Sequence, residues 1–469
     1  MIEGLKPYPE YKECDIPWAS VLPMSWQTER AKRLFTKMQR PVRLDDDVVT
    51  CFRDGMVTLR KNRRLRGFTE ATAFSGYQGI RKGDLVIHGM DAFAGAIGVS
   101  DSDGKGTPVY NVCKPGPGVV ASYYAHTVRE MSRSQWILAL AKGIRERSTD
   151  FRYEMFGNQM VPLPPPAEQA AIVRFLDHAN RKIDGFIRAK RKLIGLLNEQ
   201  KQAIIHRAVT CGLNPDVPLK PSGIPWLGEI PGHWEVMRVK QCARKISKGT
   251  TPSTEDRAIL ESGPVRFLKA ENISAGRITD KPLCFIDEET NHIIRRSQLA
   301  ENDILFVIAG ATLGKTAVVS VEVIPANTNQ AVAFIRPNSR LIPCFLELWL
   351  QSPLIKELIW LNAVQSAQPN LSMADLGNFV TPVPTRNEQQ QILDFVKDAT
   401  NPMADAISRT EREIALMHEY RTRLTADLVT GKLDVREAAA KLPDPPAEAV
   451  VEHLTDDSLE ESESEDADT

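Results

Sequence analysis

VPLPPPAEQAAIVRFL at residues 161–176 and TPVPTRNEQQQILDFV at residues 381–396 are one pattern written twice. Pro162, Pro164, Glu168, Gln169, Ile172 and Phe175 recur 220 positions later as Pro382, Pro384, Glu388, Gln389, Ile392 and Phe395. Downstream, at the same spacing, Leu196, Glu199, Val209 and Thr210 meet Leu416, Glu419, Val429 and Thr430. Upstream, Ile16, Pro17, Trp18, Pro23, Trp26, Arg30 and Lys32 recur 208 positions later as Ile224, Pro225, Trp226, Pro231, Trp234, Arg238 and Lys240. Two sets in the same order, at nearly one offset, mean an internal duplication, and a repeat has to be recognised before any element is assigned.

Each copy has a first part with short apolar runs broken by Gly, Pro, Asn and Asp, which reads as strands and turns. Asp84 to Ile87 and Val109 to Val112 are such runs in copy one, and Asp303 to Ile308 and Ala331 to Ile335 in copy two. A helix is expected near 120–143, with its counterpart near 342–361. The second part of each copy is helical. Ile172, Phe175, Ala179, Ile183, Ile187, Lys190, Ile194, Leu197, Ile204 and Ala208 follow the three-and-four spacing of a single apolar seam. Copy two shows Ile392, Phe395, Ala399, Met403, Ile407, Ile414, Met417, Leu424 and Leu428. Pro402 interrupts this pattern. With Asn401 as N-cap it predicts a short helix ending near 399 and a long one from about 402 to 430, with a matching break near Asn180. A helix of about 28 residues is about 42 Å long, close to the roughly 34–36 Å between recognition sites one DNA turn apart. The expected architecture is α/β (α+β): two similar heads with twisted mixed sheets, joined and separated by two long antiparallel coiled-coil helices. The divisions are 1–161, 162–215, 216–381, 382–437 and an acidic tail, 438–469, expected to be disordered.

The whole chain has 469 residues and a net charge of −1, with 42% hydrophobic and 25% charged residues, which suits globular domains. Length alone predicts two to four of them. Residues 438–469 contain eleven acidic residues and one lysine, so the other 437 residues carry +9, a balance that suits a polyanionic partner. No stretch reads as a membrane span or signal peptide, and the seven scattered cysteines, without a C-x-x-C pair, suit reduced thiols; the expectation is a cytoplasmic protein.

Catalytic motifs are missing. Gly310 to Thr316 resembles a phosphate loop but has three residues between its glycines where that loop needs four, and reads better as a tight turn presenting Lys315. Asp444 to Ala447 lacks the aromatic residue of the methyltransferase loop it suggests, the eight histidines show no metal spacing, and Glu10 with Lys12 is too common a pair to mark a nuclease. The expectation is a chain with no active centre, metal or cofactor of its own. Residues able to touch DNA are more plentiful. Arg60, Lys61, Arg63, Arg64 and Arg66 place five cations in seven residues, enough for several phosphates or a guanine edge. Copy two offers Lys248, Thr250 and Thr251, then Lys269 and Asn272, then Asn327 to Gln330, then Gln365 and Gln368. Asn and Gln can pair with adenine, and Lys and Thr reach phosphate. Each set could equally cap turns or form a solvated surface.

Together these residues resemble the specificity subunit of type I restriction-modification systems. The likeness rests on Asp84 to Met90, Gly95, Gly98 to Ser100, Pro108 to Val112, Arg152 to Glu154, Pro162 to Pro165 with Glu168 and Gln169, and Ala208 to Leu213. In copy two it rests on Gly249 to Pro252, Gly310 to Lys315, Asn329 with Gln330, and Leu428 to Leu433. It spans about residues 15–437 and leaves out only the tail. The resemblance implies two target recognition domains that read a split double-stranded DNA target, and helical spacers that hold two methyltransferase subunits, joined by translocating nuclease subunits. S-adenosylmethionine, ATP and Mg2+ would then belong to the partners. It points to His88, Met90 and Asp91, to Thr250 and Thr251, to Ala309, Thr312 and Lys315, and to Asn329 and Gln330 as DNA-facing. For the partner interface it points to Glu168, Gln169, Arg188, Lys192, Glu388 and Gln389. Gly185 and Gly195 weaken the first helix by about 1 kcal/mol each and suggest close helix contact. The competing reading is a non-catalytic coiled-coil adaptor, or a nucleic-acid binder without sequence preference, which tandem stacking aromatics would favour.

Overall fold

The computed structural model describes residues 5–63, 76–140, 150–252, 259–274, 276–363 and 370–443. The chain divides into two compact units, unit 1 from Met1–Ala189 with Glu413–Thr469 and unit 2 from Lys190–Arg412, so each long helix contributes to both.

In unit 1 the elements that carry the argument are β1 (Gln27–Arg30), β2 (Phe35–Lys37), β3 (Val49–Cys51), β4 (Val57–Leu59), β5 (Leu85–His88), β6 (Ile97–Val99), β7 (Tyr110–Pro115), α1 (Ala121–Arg133), α2 (Trp136–Leu140), α3 (Tyr153–Asn158), β8 (Met160–Leu163) and α4 (Pro166–Cys211). Unit 2 answers with β9 (Glu235–Arg238), β10 (Ala243–Lys248), β11 (Val265–Leu268), β12 (Ile304–Val307), β13 (Thr316–Val318), β14 (Ala326–Thr328), β15 (Val332–Pro337), α5 (Pro343–Leu350), α6 (Pro353–Ala363), α7 (Met373–Asn378), β16 (Val380–Val383) and α8 (Arg386–Val429). The central sheets have the same topology, β2-β7-β5-β6 in unit 1 and β10-β15-β12-β13 in unit 2, antiparallel throughout. Unit 2 adds the parallel pair β11-β14.

The central strands read as unbroken apolar runs because both of their faces are covered. Successive side chains leave a strand on opposite sides, and in β12 Ile304 and Phe306 enter one core while Leu305 and Val307 enter another. In β5, Leu85 and Ile87 face one core and Val86 a second. Each such side chain contributes about 1.5–3 kcal/mol on burial. Both strands begin with a buried aspartate held by an arginine: Asp84 by Arg40, and Asp303 by Arg336 through two contacts of 2.7 Å. The helices expected near 120–143 and 342–361 each form as two, with a turn at Ser134–Gln135, where Gln135 has φ 61°, and at Gln351–Ser352 before Pro353.

The duplicated residues turn out to be the joints of each unit. Trp26 Nε1 donates to Glu168 at 2.9 Å, and Trp234 Nε1 to Glu388 at 3.2 Å. Gln169 accepts from the Val120 amide at 2.9 Å and donates to the Pro164 carbonyl at 2.8 Å; Gln389 accepts from Ile342 at 2.7 Å and donates to Pro384 at 2.9 Å. Lys32 reaches Asn158 at 3.0 Å, and Lys240 reaches Asn378 at 2.9 Å. The glutamines thus tie the first turn of a long helix to the strand before it and to the start of α1 or α5, satisfying backbone groups that burial would leave unpaired.

The two seams form uninterrupted helices, α4 of 46 residues and α8 of 44, with Pro402 inside α8. This overturns the expected break near 399–402 and its counterpart at Asn180. Proline removes the bond to the carbonyl of Asp398, but Asp398, Asn401 and Pro402 are all exposed, so water can satisfy that carbonyl while Val396 and Thr400 stay buried. Seam membership also shifts: Phe175 is buried, but its counterpart Phe395 is exposed and Val396 takes the inward position. Gly185 and Gly195 have open space where a Cβ would stand, so they serve no close helix contact. Each long helix ends at a glycine with φ 71° lying against an indole, Gly212 on Trp234 and Gly431 on Trp26. Within unit 1 α4 meets α8 where Asp184 pairs with Arg421, and Arg174 donates to the carbonyl of Leu442, beyond the end of α8, at 2.8 Å.

Candidate nucleic-acid interface

In unit 2 the residues expected to face DNA come from distant parts of the chain, and strand order brings most of them to one edge. Gly249, just past the end of β10, donates to the carbonyl of Val332, and Thr250 to that of Thr328. The amide of Asn329 bonds the carbonyl of Leu268, which precedes Lys269, and Ile308 donates to Ala331. Leu371 donates to Ile308, and Ala309 bridges Asn370. Lys248, Thr250, Thr251, Lys269, Ala309, Thr312, Lys315, Asn329 and Gln330 therefore belong to one set of adjoining loops. Gly249 makes this convergence possible, because a Cβ there would lie 2.0 Å from the Asn329 carbonyl oxygen. Lys248, Thr250, Thr251, Lys315 and Gln330 are exposed. The Asn329 amide oxygen is buried without a hydrogen-bond partner, so its capacity is not spent on the fold. The segment Gly310 to Lys315 is a tight turn with both glycines at positive φ, which leaves Lys315 pointing to solvent.

Asn272 is a correction. It is 1% exposed; its amide oxygen accepts from the Lys269 amide at 2.8 Å, and its amide nitrogen donates to the carbonyls of Thr279 and Pro282. It shapes the loop that carries Lys269 and has no free edge for a base. Gln365 and Gln368 lie outside the described residues.

Unit 1 builds its candidate surface from the β3-β4 hairpin and the loop after β5. Arg60 and Lys61 form a short helical turn after β4, where Lys61 pairs with Asp47 at 2.6 Å. Arg63 pairs with Asp54 at 2.6 Å and lies over the Phe52 ring at 4.4 Å. Arg64 and Arg66 lie outside the described residues. His88 accepts from the Asp91 amide at 3.1 Å, Asp91 also pairs with Arg53 at 3.2 Å, and Met90 is exposed. Burial pushes the His88 imidazole below its usual range, against the pull of Asp91. Because Arg53 and Asp54 are neighbours, these bonds join Arg63, His88 and Asp91 into one surface. Exposed ion pairs of this kind are worth little, so Lys61 and Arg63 can exchange their carboxylates for phosphate.

Sequence reasoning missed Arg53, Arg129 and Arg133, which meet beside that surface. Arg129 and Arg133 sit one turn apart on α1, next to the buried Val128, Met131 and Ser132. The signal was there: a cation placed beside the core-facing residues of an amphipathic helix. At the other site expected from sequence, Glu168, Gln169 and Gln389 are buried within their own units, which corrects their assignment to a partner interface, while Glu388 is bonded to Trp234 and stays partly exposed. Arg188 and Lys192 are exposed on α4.

Residues 231–415 match the family model of the type I restriction modification DNA specificity domain. The chain is 28% identical over 299 residues to the type I restriction enzyme EcoBI specificity subunit of Escherichia coli, covering 58% of this chain and 61% of that protein. It is 27% identical over 287 residues to the MjaVIII specificity subunit of Methanocaldococcus jannaschii, covering 60% and 64%. The chain thus spans a little under two thirds of the length of these two relatives. A solved chain from work on complex assembly and conformational transition of the type I R-M system superposes with a TM-score of 0.62 at 16% identity, covering 87% of this chain and 98% of that one, which establishes a shared fold.

Proposed function

We propose that this chain, similar over residues 231–415 to the type I restriction modification DNA specificity domain, is the non-catalytic subunit that reads a split double-stranded DNA target and directs modification and cleavage by its partners. The convergence of polar loops at one edge of unit 2 carries this reading. Lys248, Thr250, Thr251 and Lys315 supply phosphate contacts, and Asn329 and Gln330 supply amides suited to adenine. The surface of unit 1 around Arg63, His88 and Asp91 reads the other half of the target with different side chains, as two half-sites of different sequence require.

The partners are methyltransferase subunits, with nuclease subunits joining them, and S-adenosylmethionine, ATP and Mg2+ act in those subunits. Their landing place is α4, which exposes Leu193 and Leu196 beside Lys192 in unit 2 and Phe186 beside Arg188 in unit 1. Exposed large apolar side chains on a helix mark an interaction surface. A sequence-independent single-strand binder is disfavoured, because among the described residues the exposed aromatics are Phe186 and Phe395, both on long helices and neither on a sheet that could stack bases. The test is a map of methylated adenines in the host with and without this gene. Loss of one split motif is expected on deletion, and persistence of every split motif refutes the proposal.

A further inference from the structure

Arg53, Arg129 and Arg133 line a pocket of about 170 Å³ in unit 1, closed by Phe93, Ala94, Gly95, Ser132 and Gln135. Arg53 and Arg133 make single contacts with carboxylates, at 3.2 Å to Asp91 and 3.5 Å to Glu130, so both keep N–H groups to offer. Arg129 has neither an ion pair nor a hydrogen bond among the described residues, and its Nε is buried. Backbone geometry makes room for it. A Cβ on Gly55 would stand 2.3 Å from Arg129 Nη1, and one on Gly95 would stand 2.9 Å from the Arg53 carbonyl; both glycines have positive φ. An arginine placed against the core carries a desolvation cost, which Asp54 offsets only in part and without a direct contact to Arg129. Burial pushes the Arg129 guanidinium down to about 10, with Arg133 adding to the effect, and pushes the neighbouring His126 down to about 4.

We propose that the Arg53-Arg129-Arg133 pocket is a phosphate-binding site, occupied by a tetrahedral oxyanion that completes the charge of Arg129. Three guanidinium groups around one small cavity provide more donors than a planar carboxylate can engage, whereas a phosphate can take them from several sides. Ser132 is not among the donors, since its hydroxyl already bonds the Phe93 carbonyl at 2.6 Å. The phosphate comes from the DNA backbone or from a free phosphate or nucleotide. The backbone is favoured by position, because Arg53 shares Asp91 with His88 on the surface assigned to DNA. That choice of source rests on the function proposed above, but the pocket itself does not.

The experiment uses the full-length chain and Arg129→Gln, with Arg133→Gln as a second variant whose exposed side chain spares the core. Melting is followed in inorganic phosphate and in chloride at matched ionic strength, and binding of a mixed-sequence duplex is followed against salt. Phosphate is expected to raise the wild-type Tm above its value in chloride by more than it raises that of Arg129→Gln, which keeps only the general salt effect. If the phosphate is that of DNA, Arg129→Gln lowers duplex affinity roughly tenfold near 0.1 M salt and reduces the log-log salt slope by about 1. Stabilisation by phosphate that Arg129→Gln loses, with an unchanged slope, supports the site and assigns it to a free anion. A wild-type chain that phosphate stabilises but no duplex binds keeps the pocket and sinks the DNA reading. An equal phosphate effect on the wild type and on both variants, together with an unchanged slope in both variants, overturns the proposal.

Discussion

At the scale of single residues, the repeat was legible because the side chains that recur are those with bonds to make. Trp26, Lys32, Glu168 and Gln169 have partners fixed by the fold, and so do Trp234, Lys240, Glu388 and Gln389; losing Glu168, Gln169 or Gln389 would leave buried groups unpaired, whereas the two lysine bonds are exposed. The same fact hid their role, since a charged or amide side chain in a recurring motif reads from sequence as a surface contact. Glu388 gives a measurable consequence. Burial alone would raise its carboxyl, but hydrogen bonds from Thr385, His233 and Trp234 outweigh that and hold it down at about 2. A carboxylate with a depressed folded pKa stabilises the fold fully above its unfolded value, about 4.3, and the contribution is lost as pH falls through the folded value. Urea denaturation between about pH 4.3 and about pH 2 should therefore show wild-type stability falling with acid. Glu388→Gln should be less stable at neutral pH and show a shallower fall over that window; identical slopes would place the acid sensitivity elsewhere.

At the scale of elements, periodicity located the strands and both long helices, while the break expected inside α8 came from a rule about a single residue. Proline in a helix interior costs about 3 kcal/mol relative to alanine, and that penalty argued for a break at 402. It is outweighed because the seam continues on both sides, with Ile392 and Val396 buried before it and Thr410 after it, and because the defect lies on the solvent face. No local reading of the sequence could weigh packing on two turns against one lost hydrogen bond. Pro402→Ala should restore the bond to the Asp398 carbonyl and raise stability by up to about 3 kcal/mol, read as a higher urea midpoint with an unchanged m-value. A lower midpoint would mean that the proline is needed for the helix to follow its course.

At the scale of the whole molecule, duplication explains why candidate base-reading residues are harder to find than structural ones. The scaffold contacts are the same in both units, but the loops they carry are not: Lys248 to Thr251 and Asn329 with Gln330 have no counterpart in kind at Arg63, His88 and Asp91. Sequence could locate these loops by their polar content, but separating Asn272, which is consumed by the fold, from Asn329, which is not, required the backbone groups around each. The division suggests an exchange experiment. Residues 1–161 supply most of unit 1, but that head is also clasped by residues beyond the exchange: Trp26 and Tyr8 by Glu168, the Val120 amide by Gln169, Tyr123 by the carbonyl of Val429, and Trp26 by Gly431. A relative's residues 1–161 should therefore fold on this chain when they present an indole at position 26 and a phenol at position 123. Such a chimera should direct its partners' methylation to a target with one half changed and the other retained, as a methylation map of the host would report. A chimera that folds but changes both halves would show that the units do not read DNA independently. One that loses both the phenol and the fold would show that the clasp, and not the reading surface, limits the exchange.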